Sequence, residues 1–200
     1  MKKKIILFIF IIIFVYAAGG IAYVILNKKA ETVKISDLDS IKGYNYTLKS
    51  NATELYKSEF KALKSNLENN NVNDEEFAKS VAKLFIIDLY TLSNKINKYD
   101  VGGINFVHPD YLSNYKLNVE DTLYKYMEDN TTKGRKQELP EVSTIEIKKC
   151  EEATYKIGEK EETGYKIELE WSYVKDLGYD KDGEVIIVKL DKNYYIVEKN

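Results

Sequence analysis

The sequence predicts an α+β fold, with an N-terminal transmembrane helix followed by helices packed on a curved four-stranded antiparallel meander. Three patterns lead to this prediction. Residues 5–26 form an uninterrupted apolar run. Apolar residues then recur at helical spacing between residues 51 and 92, and they alternate with polar residues after Pro140. Helices followed by consecutive strands are typical of an α+β domain rather than of βαβ units.

The apolar run is long enough to cross a bilayer. At about 1.5 Å per residue, a helix over residues 5–26 would extend about 33 Å. Lys2–Lys4 precede the run and Lys28–Lys29 follow it, which gives a small bias toward a cytoplasmic N-terminus. We therefore expect residues 1–29 to be a single-pass signal anchor in the cell membrane, with the rest of the chain outside the cytoplasm.

Two alternatives concern the same segment. The small residues of Val15–Ala17 and of Gly20–Ala22 would suit a cleaved secretory signal. Ala18 and Ala22 have the spacing of a helix-dimerisation motif, which is compatible with a homo-oligomer. After the anchor, we expect a short polar stalk at residues 30–41 and a single extracytoplasmic domain over residues 42–200.

Charge distribution excludes one class of partner. All 32 acidic residues follow residue 30, whereas five of the 30 basic residues flank the apolar run, so the body carries a net charge of −7. Nucleic-acid binding requires a basic surface, and we expect no such partner. The expected partners are the bilayer and other membrane or envelope proteins. A lone cysteine, Cys150, excludes an intramolecular disulfide framework; we expect a quiet strand residue, with an intermolecular bridge as the alternative.

The helical region contains several predicted elements. A short strand is expected around Tyr44–Leu48, and Asn51 or Thr53 is expected to cap the helix that follows it. Asn73 should begin a second helix, which is apolar on nearly all sides from residue 81 to residue 92 and must therefore be surrounded by other elements. Further helices are expected at His108–Pro109–Asp110 and over residues 119–129. The first helix takes its apolar face from Tyr56, Phe60, Leu63 and Leu67.

The strand region begins after Pro140. The alternation predicts two long strands joined by a polar connector over residues 158–164. Asp182–Gly183 is a tight-turn signal, and residues 191–193 should form the last turn. On the first long strand, one face is expected to carry Ile145, Ile147, Ala153, Tyr155 and Ile157. On the second, Tyr165, Ile167, Leu169, Trp171 and Tyr173 should share a face covered by the apolar helix.

This order of elements, from Tyr44 to Glu198, resembles the NTF2-like (cone-shaped α+β) superfamily. With its anchor, the chain is similar to the membrane-tethered VirB8 and TcpC type of secretion and conjugation component. The strand expected at Tyr44 departs from the simplest helices-first order. The resemblance implies a sheet curled around the long helix, whose concave face serves as a ligand pocket, an active site or plain core.

Two residues are candidates for catalysis. Asp88 lies within an apolar stretch, where a carboxylate is costly unless paired. It is either a general base with a raised pKa, as the isomerase-type relatives imply, or an acid bonded to a tyrosine hydroxyl or a loop amide. His108, the only histidine, is either a catalytic group or the start of a helix with Pro109 at its first position. We expect no cofactor and no metal site.

The sequence therefore leads to three hypotheses. The first is a non-catalytic NTF2-like interaction domain that a single-pass anchor displays outside the cytoplasm, as part of an envelope assembly of secretion or conjugation type. The second is a small-molecule-binding module. The third is an isomerase-like enzyme with Asp88 as base. For the second hypothesis, the candidate walls of a tyrosine-lined concave face are Tyr155, Tyr165, Trp171 and Tyr173.

Overall fold

The computed structural model describes residues 32–200, which contain three α-helices and a four-stranded antiparallel sheet. The predicted α+β class is confirmed at this level. The expected anchor at residues 1–29, with Ala18 and Ala22, lies outside the described residues, as does the beginning of the expected stalk. Within residues 32–200, no helix is both long enough and apolar enough to cross a membrane.

A small two-stranded sheet opens the described chain. Strand β1 (Asp37–Ser40) lies in the segment expected to be a stalk, and it pairs antiparallel with β2 (Thr47–Lys49). Tyr46, directly before β2, is completely buried. Its hydroxyl donates to the carbonyl oxygen of Tyr194 and accepts from the Tyr194 amide, each at 2.9 Å. This pair of bonds fixes the first strands to the end of the chain.

The two long helices begin as the sequence predicts. Helix α1 (Glu54–Leu67) is capped by Thr53, whose hydroxyl accepts from the Tyr56 amide at 3.3 Å. Helix α2 (Asp74–Tyr90) is capped by Asn73, whose side chain accepts from the Glu76 amide at 3.0 Å. Most of α2 is buried between α1 and the four-stranded sheet, as its all-round apolar character requires.

The predicted helix over residues 119–129 is wrong. A 3-10 turn at Pro109–Tyr111 leads into helix α3 (Leu112–Asp121), which is one continuous helix ending before Thr122. The chain then turns inward, because Tyr124 is fully buried and its hydroxyl donates to the Leu89 carbonyl at 2.8 Å. Anchoring this side chain in the core is incompatible with continuing an exposed helix.

The four-stranded sheet has the predicted meander order. Its strands are β3 (Val142–Ile157), β4 (Lys160–Tyr173), β5 (Asp182–Leu190) and β6 (Asn193–Lys199), each antiparallel to the next. The prediction that one face of β4 is covered by the apolar helix is confirmed, since Ile167, Leu169 and Trp171 on that face are all buried. The chain reverses between β5 and β6 at Asp191, where φ is +55°, so the last predicted turn is also confirmed.

The predicted face of β3 is wrong beyond Ile147. A register shift between Ile147 and Lys149 exchanges the two sides of the strand. Cys150 therefore pairs with Ile167 on the helix-facing side, whereas Tyr155 pairs with Glu162 on the opposite side. Ala153 and Ile157 move to that opposite side with Tyr155. One extra residue in the strand is sufficient to reverse the orientation of everything after it.

Two predicted turns are also wrong. The connector over residues 158–164 is mostly strand, because the positive φ of Gly158 allows the chain to reverse within two residues. Asp182–Gly183 lies inside β5 rather than in a turn. A Cβ atom at Gly183 would lie 3.0 Å from the Asn200 carbonyl oxygen and 3.3 Å from the Trp171 ring, so this glycine leaves room for both. The chain reverses earlier, between residues 174 and 181.

Candidate functional site

Asp88 lies near the end of α2, against a small polar cavity. The volume of this cavity is about 20 Å³, close to that of a single water molecule and far below that of a substrate pocket. Amide, hydroxyl and charged side chains from the β2–α1 region and from the loop after α2 dominate its lining. They include Thr47, Lys49, Asn51, Thr53, Tyr56, Thr91, Asn94, Lys95, Asp100 and Asn105.

The carboxylate of Asp88 has two strong partners. It forms an ion pair with the Nζ atom of Lys95, and its second oxygen accepts from the Gly103 amide at 2.7 Å. The Lys95 side chain is 6% exposed and that of Asp88 is 26% exposed, so the ammonium is the more deeply buried member of the pair. The interpretation of Asp88 as an acid bonded to a loop amide is therefore confirmed.

The alternative interpretation of Asp88, a general base, depends on a raised pKa, and the surroundings of this carboxyl group lower its pKa instead. Burial raises the pKa of this carboxyl group, but the charge of Lys95 and the hydrogen bonds from Lys95 and Gly103 outweigh burial and hold the pKa below its ordinary value. A general base at neutral pH requires the opposite shift. In this arrangement, Asp88 is an ionised acceptor that fixes the loop after α2.

Tyrosines complete the surroundings of Asp88. The Tyr115 hydroxyl donates to the Gly102 carbonyl at 2.7 Å, while Tyr124 bonds the end of α2. Burial, followed by the negative charge of Asp88, raises the pKa of Tyr56, Tyr115 and Tyr124 well above its ordinary value. The Tyr115 and Tyr124 hydroxyls therefore remain protonated donors to the backbone carbonyls that they hold in place.

A close backbone approach explains why glycine occurs at position 102. A Cβ atom there would lie 1.9 Å from the carbonyl oxygen of Asp88. Only glycine permits the loop to come this near to α2. The Asp88 region is thus a tightly joined corner, in which an ion pair, a loop amide and two tyrosines hold three segments together.

His108 serves as a helix-start residue. It is 5% exposed, and its Nδ1 atom accepts from the Asp110 amide at 3.3 Å, with Pro109 at the first position of the 3-10 turn. Its ring packs near Tyr111 and Tyr195. The helix-start interpretation is confirmed. Asp88 and His108 do not belong to a shared hydrogen-bonded group.

The four candidate wall residues do not converge on one cavity. Trp171 is 2% exposed and packs on Tyr90 with ring centroids 4.9 Å apart. Its indole donates to the Tyr173 hydroxyl at 2.8 Å, which in turn donates to the Asp180 carbonyl at 2.6 Å. Tyr155 lies on the opposite side of the sheet, because of the register shift in β3.

Tyr165 alone lines an open cleft, with a volume of about 550 Å³, between the β3–β4 hairpin and the beginning of α2. Its ring lies 6.0 Å from that of Tyr194, centroid to centroid. Lys189 pairs with Asp74 at 2.6 Å and lies 5.6 Å from the Tyr194 ring centroid. The rest of the cleft is mostly polar, with walls from Glu152, Thr154 and Thr163.

Two important residues were missed in the sequence. Lys95 follows Asp88 by seven residues, beyond the end of the helix, so no helical spacing connects the two. Arg135 lies in a basic loop between Lys133 and Lys136, where charged side chains are usually solvated. Its guanidinium instead donates to the backbone carbonyls of Ser93, Lys95 and Glu128, at 2.8 to 3.3 Å. A single arginine among 30 basic residues was the only available signal.

Within residues 32–200, no group of three or more histidine, cysteine, aspartate and glutamate side chains is arranged to hold a metal ion. Comparison with protein-family models, with curated proteins and with solved structures finds no match for this chain.

Proposed function

We propose that this chain is a single-pass membrane protein that presents a non-catalytic, NTF2-like interaction domain outside the cytoplasm, within an envelope assembly of secretion or conjugation type. The observation that carries the proposal is the β3–β4 hairpin. Residues 154–157 of β3 pair with residues 160–163 of β4, whereas the pairing of β4 with β5 reaches only Gly164. The hairpin tip thus extends beyond the sheet as a two-stranded projection.

The outer edge of β3 favours binding to another protein. Within the described part of the chain, residues 143–157 form no backbone hydrogen bond on the side away from β4. Such an edge can accept a strand from a partner. Charged side chains, among them Lys148, Lys149 and Glu151, are exposed along it. Edge charges oppose unspecific pairing, so a complementary partner would be selected.

Two further observations support the non-catalytic part of the proposal. The carboxylate of Asp88 is held by Lys95 and Gly103 beside a cavity of about 20 Å³. The Nδ1 atom of His108 accepts from a backbone amide.

The element order and the burial of α2 against the meander support the NTF2-like assignment. Fold likeness alone does not determine function, so the proposal depends on the hairpin.

The test is photocrosslinking in cells with the full-length chain. A photoreactive amino acid in place of Tyr155, on the hairpin, should trap specific membrane or envelope proteins, identifiable by mass spectrometry. The matched control is the same amino acid in place of Leu117, a 60% exposed residue on α3. Recovery of only lipids and background from the hairpin position, or of identical adducts from both positions, would reject the proposal.

The anchor requires a separate measurement. The intact mass of the detergent-extracted protein should include residues 1–29, and the protein should remain in the membrane after alkaline carbonate extraction. A mass that begins between residues 17 and 23 would instead identify a cleaved signal, and the body would then be a secreted protein.

The cleft at Tyr165 supports a second candidate function, which is small-molecule binding. Its volume of about 550 Å³ falls within the range of ligand pockets, although its polar lining is unusual for one. Saturation-transfer NMR with aromatic carboxylates and aromatic amines as probes should detect binding that is lost in Tyr165→Ala. Equal signals from Tyr165→Ala and from the wild-type chain would remove this candidate.

A further inference from the structure

Two exposed tyrosines lie in neighbouring loops, each beside a lysine. Tyr99 is 64% exposed and Tyr126 is 79% exposed, and both are among the most exposed large aromatic residues of the described chain. The Nζ atom of Lys98 lies 5.0 Å from the Tyr99 ring centroid, and that of Lys125 lies 5.3 Å from the Tyr126 centroid. Both rings are therefore accessible at the surface.

Hydrogen bonds join the two loops into one surface. The Asn130 amide donates to the Ile96 carbonyl at 2.7 Å, and the Asn97 side chain donates to Asp129 at 3.3 Å. The Arg135 guanidinium also bridges both loops through the carbonyls of Lys95 and Glu128. We call the surface formed by residues 95–100 and 125–136 the tyrosine–lysine face.

The charge of this face differs in sign from that of the body. Without Lys95, which is buried and paired with Asp88, it contains five basic and three acidic residues, a net charge of +2, whereas the chain after residue 30 carries −7. Two of the three acids accept from backbone amides: Asp100 accepts from Ile96 at 3.0 Å, and Asp129 accepts from Thr131 at 2.8 Å. The excess of basic side chains over these acids favours an anionic surface as the partner.

The first described residues are bonded to this face. The Val33 amide donates to the Thr131 carbonyl at 2.8 Å, so the first described residues are attached to the face itself. Lys29, at the end of the expected anchor, precedes Val33 by four residues, which reach at most about 14 Å when fully extended.

We propose that the tyrosine–lysine face rests on the bilayer surface, with the rings of Tyr99 and Tyr126 at headgroup level and the neighbouring lysines on the phosphates of anionic lipids. This proposal depends on the single-pass anchor proposed above. Tyrosine is enriched at membrane interfaces because its ring is apolar and its hydroxyl is polar. Lysines beside an anchor are attracted to anionic headgroups. The domain would then have one fixed orientation on the membrane.

The same geometry supplies a control position. The carbonyl oxygen of Pro140, just before β3, accepts from the amides of Leu92 and Ser93, beside the face. The hairpin turn at Glu159 is separated from this point by the whole of β3, about 50 Å along the strand at about 3.3 Å per residue. A label at Glu159 should therefore remain in water while the face contacts the membrane.

The experiment uses the full-length chain in nanodiscs, with Cys150→Ser as background. A spin label at Glu128→Cys reports on the face and leaves both tyrosines intact, and Glu159→Cys is the control. The ratio of collisions with oxygen to collisions with a water-soluble nickel complex should be several-fold higher at position 128 than at position 159 when 30% of the lipid is phosphatidylglycerol. The difference in this ratio between positions 128 and 159 should become smaller in pure phosphatidylcholine and in a Lys98→Gln/Lys125→Gln variant. It should not change in the control variant Lys156→Gln/Lys160→Gln.

Equal ratios at the two positions, with the protein retained in the nanodisc, would overturn the membrane-contact proposal and leave the anchor intact. Loss of the protein from the nanodisc would overturn both proposals. Protection of position 128 from oxygen and nickel alike, independent of lipid composition, would identify a protein occupant of the face and would also overturn membrane contact.

Discussion

The Asp88–Lys95 pair permits a quantitative test of how this corner of the domain is held. Three variants are required: Asp88→Asn, Lys95→Met and the double variant. Asparagine keeps an oxygen acceptor for the Gly103 amide but leaves the Lys95 ammonium unpaired. Methionine fills most of the volume of the lysine side chain but leaves the Asp88 carboxylate without its ion pair. That carboxylate still accepts a hydrogen bond from the Gly103 amide. The two single changes are therefore not equivalent.

The exposures of the two side chains determine the magnitudes. Removing one partner of a buried ion pair costs about 3 to 5 kcal/mol. Because water reaches the Asp88 side, which is 26% exposed, we expect the lower end, about 3 kcal/mol, for Asp88→Asn. Lys95→Met should cost about 1.5 kcal/mol, since the remaining carboxylate is partly solvated and bonded to Gly103. The double variant should also lose about 1.5 kcal/mol, which gives a coupling energy of about 3 kcal/mol.

Trp171 provides the assay. It is the only tryptophan in the chain and is 2% exposed, so its fluorescence reports directly on unfolding of the domain. The free energy of unfolding is obtained from urea titration of the full-length protein in nonionic detergent. The exposed pair Lys175–Glu138 serves as a control, and its coupling should lie within experimental error. A coupling energy below about 1 kcal/mol for Asp88–Lys95, or a larger loss in Lys95→Met than in Asp88→Asn, would refute the reasoning.

The same variants predict an effect of pH. In the wild-type chain the pKa of Asp88 is lowered by folding, so its contribution to stability is present above the unfolded pKa of about 3.9 and is lost as the pH falls through the folded value. In Lys95→Met, the lysine charge no longer offsets the effect of burial, and the pKa of Asp88 in the folded state should lie above its unfolded value. The sign is then reversed, and the stability difference between Lys95→Met and wild type should narrow as the pH falls from 7 toward 4.

Three further outcomes can be measured on the same protein. Gly102→Ala should destabilise the domain by about 3 kcal/mol in urea titration, because the new methyl group would overlap the backbone of α2. Gly134→Ala is the control and should have little effect, since its Cβ would meet nothing nearer than 3.7 Å. Equal urea midpoints for the two variants would contradict the packing argument. Arg135→Lys should lose about 1 to 2 kcal/mol through its backbone hydrogen bonds, while Lys136→Ala should leave the urea midpoint unchanged. Burial raises the pKa of the Cys150 thiol. A disulfide reagent at pH 8 should therefore react several-fold more slowly with the folded protein than with the urea-unfolded protein. Equal rates would show that the thiol is accessible in the folded protein.

The sequence predicts the elements of this fold better than their details. The caps at Thr53 and Asn73 and the alternation through Trp171 are local signals, and the structure confirms them. The shift after Ile147 is different, since an inserted residue leaves no trace in a pattern of charged and small side chains. Gly183 was misleading because glycine suits a tight turn and also suits a strand position close to the Asn200 backbone and the Trp171 ring.

The corner around Asp88 could be anticipated only in part. A carboxylate inside an apolar helix must be paired, and the sequence predicts that much. The identity of the partner depends on how the loop after α2 folds back, and Lys95 is one of many lysines in the chain. The nearest approach of that loop is determined by tertiary contacts of Tyr115 and Tyr124, which no short-range pattern reveals.

The bonds between Tyr46 and Tyr194 also bear on the order in which this protein folds during synthesis. They join residues 148 positions apart, and neighbouring Asn45 bonds Asn193 across the same separation. While the ribosome is still producing β5, Tyr46 therefore lacks its partner Tyr194, and the aromatic cluster of Tyr46, Phe77 and Tyr194 is incomplete. Long-range contacts of this kind slow folding. A chain that ends before Tyr194 would leave the aromatic core open, so the nascent domain depends on its last strand to close.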